Sequence, residues 1–207
     1  MQNYKIFINN GLIFFGDLSS QPPLNLSWSD FQIVKPDSIK NMVDNIKSFQ
    51  EIGNYLIETK DTEKAFKEFA IYFKTMQAAG GLVINDKDQL LMIHRFEHWD
   101  FPKGKVEKDE EVEQAAIREV MEETGIENVS ITKSIPTTYH IYNYYDKWIL
   151  KETFWYLMFS DFRGELIPQL EEDIVAAKWI PLDFLGEYIL DSYAALQDLV
   201  ETVQLIR

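Results

Sequence analysis

Residues 104–126 read GKVEKDEEVEQAAIREVMEETGI, from Gly104 to Ile126. At about 100° of rotation per helical residue, Glu119, Glu122 and Glu123 fall on one arc of roughly a quarter turn. Val112, Ala116, Ile117, Val120 and Met121 form the adjoining apolar arc. The segment therefore predicts a helix that buries one side in a core and shows acid along the next. Like charges at i,i+3 and i,i+4 each cost a helix roughly 0.2–0.5 kcal/mol and raise one another's pKa. A hard divalent cation, which takes oxygen ligands and shares them with phosphates and water, would turn that repulsion into a binding site. Gly104 permits close backbone approach ahead of the helix, and Gly125 suits the left-handed position after it, with Ile126 packing back. Asp109 and Glu110 stand where acids favour a helix start.

The same residues resemble the signature of the Nudix hydrolases, G-x5-E-x7-R-E-U-x-E-E-x-G-U, where U is aliphatic. Every fixed position is met, by Gly104, Glu110, Arg118, Glu119, Val120, Glu122, Glu123, Gly125 and Ile126. A solvated acidic face is the ordinary explanation of a charge run. It does not require the arginine, both glycines and the spacing together. The resemblance covers about residues 76–207 and implies hydrolysis of a phosphoanhydride in a nucleoside diphosphate linked to another group. It implies Mg²⁺ or Mn²⁺ held by Glu119, Glu122 and Glu123, with the Gly104 carbonyl a further ligand. Glu119 or Glu122 would take the proton from water, as catalytic residues. Glu110, Arg118 and Gly125 would be structural within the box. An acidic stretch, Gln169 to Ile174, precedes Trp179-Ile180-Pro181. It resembles the later family segment that supplies an extra metal ligand or base, here assigned to Glu172; an exposed acidic loop is the plain alternative.

Composition bounds these readings. The 207 residues are 46% hydrophobic and 14% aromatic, enough for a sizeable core in one or two domains. No apolar run approaches the ~18–20 residues that span a bilayer, and the first residues lack a secretory layout, so the expected location is the cytoplasm. The absence of cysteine excludes disulfides and thiolate chemistry and leaves carboxylates and histidines as side-chain metal ligands. The formal charge of −14 argues against broad binding to nucleic acid or anionic membrane. Residues 1–75 carry nine acids and eight bases, residues 76–207 twenty-five and twelve. The acid thus belongs to the half that holds the box.

Ahead of that half, two strands about Asn9-Asn10-Gly11, a third at Phe31–Val34, a helix from Pro36 to about Gln50, a strand over 54–58 and a helix over 63–76 give a β-β-β-α-β-α pattern. The expected organisation is an α+β protein: a small α+β domain over 1–75 and a Nudix domain over 76–207, an α/β/α sandwich with a mixed sheet. The first domain shows no chemistry; homo-oligomerisation, a lid or substrate recognition are its alternatives, and Trp28 in its loop is either core or ligand wall. The second is expected to open with strands at 79–84 and 89–95. Strands at 129–136, 137–145 and 148–159 follow the box, then helices over 182–189 and 192–206.

The run Trp99-Asp100-Phe101-Pro102-Lys103-Gly104-Lys105 is similar to the W-x-x-P-K-G approach of diadenosine tetraphosphate hydrolases and to that of mRNA decapping enzymes. Both resemblances imply a highly charged polyphosphate, with a dinucleoside polyphosphate preferred because the chain lacks a basic surface for RNA. Nucleotide sugars, ADP-ribose and nucleoside triphosphates are the alternatives; no feature points to oxidised nucleotides. Lys103 and Lys105, two of the few bases near the box, are candidates for phosphate contact. Trp99 is either core or substrate wall, and Tyr139, His140 and Lys151 are candidates to reach a bound anion from one face of the later hairpin. A rival from another class is a nucleotide-sensing module without turnover; the intact acids favour catalysis.

Overall fold

The computed structural model describes residues 4–9, 11–48 and 53–203. They form two compact units, Met1–Met76 with Tyr139–Lys151, and Gln77–Thr138 with Glu152–Arg207. Among the described residues no helix is long and apolar enough to cross a membrane.

In the first unit β1 (Tyr4–Ile8) and β2 (Gly11–Gly16) pair antiparallel, Ile8 opposite Gly11. Asn9, at φ 47, begins the turn; Asn10 lies outside the described residues. β2 then pairs in parallel with β4 (Asn54–Glu58), and β4 with β3 (Phe31–Val34). Alternation along these strands sends Ile6, Ile8, Ile13, Phe15 and Ile57 into a core closed by α1 (Ile39–Ser48) and α2 (Thr62–Ala70). The expected first helix divides into a 3-10 turn at Pro36–Ser38 followed by α1; Phe49 and Gln50 lie outside the described residues. Asp61 caps α2, accepting from the Lys64 N–H at 3.1 Å, as its residue type favours. Trp28 packs on Phe14 and Phe31 and donates its indole N–H to the Ser20 carbonyl.

One expectation fails here. The helical spacing of Phe66, Phe69 and Phe73 predicted a helix to Met76, but α2 ends at Ala70 and β5 (Lys74–Ile84) begins four residues later. Phe73 still reaches the core, from a turn. Ladder hydrogen bonds along β5 outweigh a local pattern that continues only by one aromatic.

In the second unit β6 (Gln89–Arg95) lies between β5 and β11 (Ile174–Pro181). On the other side of β5 come β10 (Lys147–Phe159) and then β9 (Ser130–Tyr144). Sequence reading split β9 at Pro136. The strand runs through it, and among the described residues β1 pairs with Tyr139–Ile141, beyond the proline; proline is tolerated where a strand lacks a neighbour on one side. The two faces of the sheet carry different helices. Leu82, Leu90, Met92 and Trp155 pack with α4 (Leu185–Ile189) and α5 (Ala194–Thr202); Ala79, Val83, Leu91 and Met158 pack with α3 (Val112–Thr124). This is the expected α/β/α sandwich. The expected end of the last helix, 204–206, lies outside the described residues.

Candidate active site

Two short strands that the sequence did not announce, β7 (His98–Asp100) and β8 (Lys103–Lys105), hold the approach to the box. β7 pairs with β6 and β8 with β5, Ala79 opposite Gly104. Gly104 is thereby laid against α3. A Cβ built on it would stand 1.9 Å from Glu119 Oε2, so only glycine lets the main chain meet that carboxylate. At the far end of α3, Gly125 takes φ 74, and a side chain there would also strike Ile167.

The three glutamates share a face but not an environment. Glu123 is completely buried and Glu119 is 6% exposed, whereas the Glu122 side chain is 48% exposed. Glu123 Oε2 accepts the Lys103 N–H at 2.8 Å, and Oε1 has no hydrogen-bond partner. Burial pushes the Glu123 carboxyl up to about 7 against the opposing pull of Lys103. Glu119 is also raised by burial, with Arg118 opposing.

Most of the repulsion inferred from the sequence is answered within the chain. Arg118 grips Glu110 through Nε and one terminal nitrogen, at 2.8 and 2.9 Å, and donates from the other to Glu119 at 2.8 Å and Glu122 at 2.9 Å. It also donates to the Lys105 carbonyl. The guanidinium holds Glu110 down at about 2, with help from the Glu107 N–H, and is itself raised, chiefly by Glu110. Glu110 therefore bonds to Arg118 instead of capping the helix, whose cap residue is Glu111. Arg95, which sequence reading passed over, lies 3.5 Å from Glu172 and 3.9 Å from Glu123. Its Nε is buried without a partner.

The remaining candidates separate. The Lys103 ammonium is engaged by Asp100 at 2.5 Å; Lys105 is exposed. Trp99 sits among the rings of His94 and Tyr188 with the Lys178 ammonium over it, against the α4/α5 core. Tyr139, His140 and Lys151 belong to the other unit. Tyr139 is buried there beside Tyr4 and Phe66, and His140 stacks on Tyr142. Asp100 and Arg95 escaped notice because their partners are fixed by strand pairing; the opposite signs of Asp100 and Lys103 at i,i+3 were the available signal.

Among the described residues no three histidine, aspartate or glutamate side chains stand ready as a metal group; Arg118 holds two of the carboxylates an ion would take. The donor set nevertheless fits a hard cation. It is all oxygen, one buried carboxylate oxygen is unpartnered, and a glycine main chain lies against a second carboxylate.

The family model described as NUDIX domain matches residues 74–199. A 51-residue segment is 43% identical to a putative 8-oxo-dGTP diphosphatase of Bacillus subtilis, covering 24% of this chain and 34% of that one. A 71-residue segment is 35% identical to the mRNA-decapping enzyme subunit 2 of Arabidopsis thaliana, covering 33% and 19%. The chain thus spans about a third or less of these two relatives. The solved structure of a C. elegans Ap4A hydrolase binary complex is similar at a TM-score of 0.49 and 23% identity, over 62% of this chain and 95% of that one.

Proposed function

The chain belongs to the Nudix family, with the domain over residues 74–199, and from that premise we propose that it is a metal-dependent pyrophosphohydrolase of nucleotide polyphosphates, a dinucleoside polyphosphate first among them. The observation that carries the reading is the Glu123 carboxyl, fully buried with one oxygen unbonded, on the helix face that sets Glu119 against the Gly104 main chain. A structural helix has no use for such a group; an ion site does.

Glu119, Glu122 and Glu123 would hold Mg²⁺ or Mn²⁺, with the Gly104 carbonyl beside them. When bound, the ion supplies charge neutralisation for the phosphates and a more acidic water. The residues supply the rest. Water adds to phosphorus, the anhydride P–O bond breaks, and its electron pair leaves with the departing phosphate. The water proton passes to Glu119 or Glu122, with Glu172 in reserve across Arg95. Arg118 keeps Glu119 and Glu122 aligned until ligand replaces its contacts. Lys105, exposed beside the box, offers a charge to the phosphate chain.

The segmental likeness to a decapping subunit favours one second reading, hydrolysis at the 5′ end of RNA. A screen of the full chain with Mg²⁺ or Mn²⁺ against dinucleoside polyphosphates, nucleoside triphosphates, nucleotide sugars, ADP-ribose and capped RNA, with products resolved by chromatography, decides between them. Metal-dependent cleavage of a dinucleoside polyphosphate in preference to the others is expected. Preferential decapping would install the second reading, and turnover of nothing in the panel would leave a sensing module.

A further inference from the structure

Lys103 stands in the approach to the box, one residue before Gly104, but its charge is already matched. Its ammonium lies 2.5 Å from Asp100 Oδ2 and 3.4 Å from the Phe101 carbonyl, and the two side chains are only 15% and 6% exposed. Asp100 is fixed in turn. Its Oδ1 accepts the Phe101 N–H at 2.7 Å, and β7 carries it opposite Ile93. Through the Lys103 N–H the pair is tied to Glu123, which feels both of its charges with opposite sign. At a distance, such a pair is a dipole and not a cation. The W-x-x-P-K-G pattern leaves its two middle positions open, and an acid in the first of them is what disarms the lysine in this chain.

Each phosphate added to a linker brings further negative charge into a site that already holds several carboxylates. A free ammonium would favour long chains increasingly; a cancelled one does not. We infer that Asp100 is a specificity-determining residue: by pairing with Lys103 it withholds a cation from the site, so that each further phosphate in a linker adds less to binding than it would beside a free ammonium. The inference rests on the polyphosphate reading above.

The test is calorimetric binding of inorganic pyrophosphate, tripolyphosphate and tetrapolyphosphate, with saturating Mg²⁺ and fixed ionic strength, to the full chain and three variants. Asp100→Asn, which can keep the Phe101 hydrogen bond, should tighten tetrapolyphosphate by about tenfold and pyrophosphate by only about two- to threefold, with a steeper salt dependence. Lys103→Met should weaken binding, most for the longest chain. The double variant exchanges a buried ion pair for neutral groups, a change such sites tolerate. It should return all three affinities to within about twofold of the original. It also carries the decision if Asp100→Asn, with its unpaired ammonium, does not fold in a melting experiment. An Asp100→Asn change that ignores chain length, or a double variant as weak as Lys103→Met, would overturn the inference. A chain that hydrolyses no nucleotide sinks the polyphosphate reading instead, while the binding series still decides this one.

Discussion

Replacing Glu123 by glutamine isolates the energetic cost of the buried carboxylate. The side chain has no exposed surface, its Oε1 is unbonded, and burial raises its pKa from 4.5 to about 7. The folded chain therefore holds a proton that the unfolded chain has released between pH 4.5 and 7. Stability from this group is fully present below pH 4.5 and is lost as pH rises through 7. A shift of that size corresponds to about 3 kcal/mol. Glutamine does not titrate, so its stability relative to the original chain should climb by that amount from pH 4.5 to 8, whatever constant offset its amide introduces. Urea unfolding of both proteins in chelator across this range measures the difference, and the ¹³C shift of the Glu123 carboxyl reads its titration directly. A flat difference, with the carboxyl titrating near 4.5, would refute the burial argument.

Glu122→Gln removes an exposed carboxylate and should lower kcat by about 10²-fold or more while melting within a few degrees of the original; retained turnover at saturating Mg²⁺ would remove Glu122 from the chemistry. Gly104→Ala places a methyl 1.9 Å from where Glu119 Oε2 now lies. Relieving that clash moves the carboxylate by about 1 Å or more, which should cost about 100-fold in rate, and unchanged kinetics would show that the close approach is incidental. Arg118→Ala strips the hydrogen bonds that hold Glu110, Glu119 and Glu122 and should destabilise the chain by about 3 kcal/mol in urea. A loss under about 0.5 kcal/mol would make the bridge superficial.

The box helix was legible because nine positions are fixed by spacing, and a helical wheel converts spacing into a shared face. The wheel gives direction, not depth. It put Glu119, Glu122 and Glu123 together but could not say that β8 would cover Glu119 and Glu123 and leave Glu122 in water. Charge along the helix is ambiguous for the same reason: Arg118 is a neighbour in sequence, while its reach across Glu110, Glu119 and Glu122 depends on how the 105–110 loop returns to the helix. Strand β9 was cut at Pro136 because local chemistry says that proline interrupts a ladder, and only sheet order reveals which side of a strand needs donors. Tyr139 and His140, read as alternating hairpin residues, belong to the unit of β1 through a parallel pairing with Ile6 and Phe7. No local pattern encodes that contact.

The most direct measurement is titration of Mn²⁺ into the full chain, followed by electron paramagnetic resonance of the free ion. The original chain should take up Mn²⁺, more tightly as pH rises through about 7 while Glu123 gives up its proton, and Glu119→Gln, Glu122→Gln and Glu123→Gln should each weaken uptake. Uptake that is absent, or equal in all four proteins, would contradict an ion site on this helix.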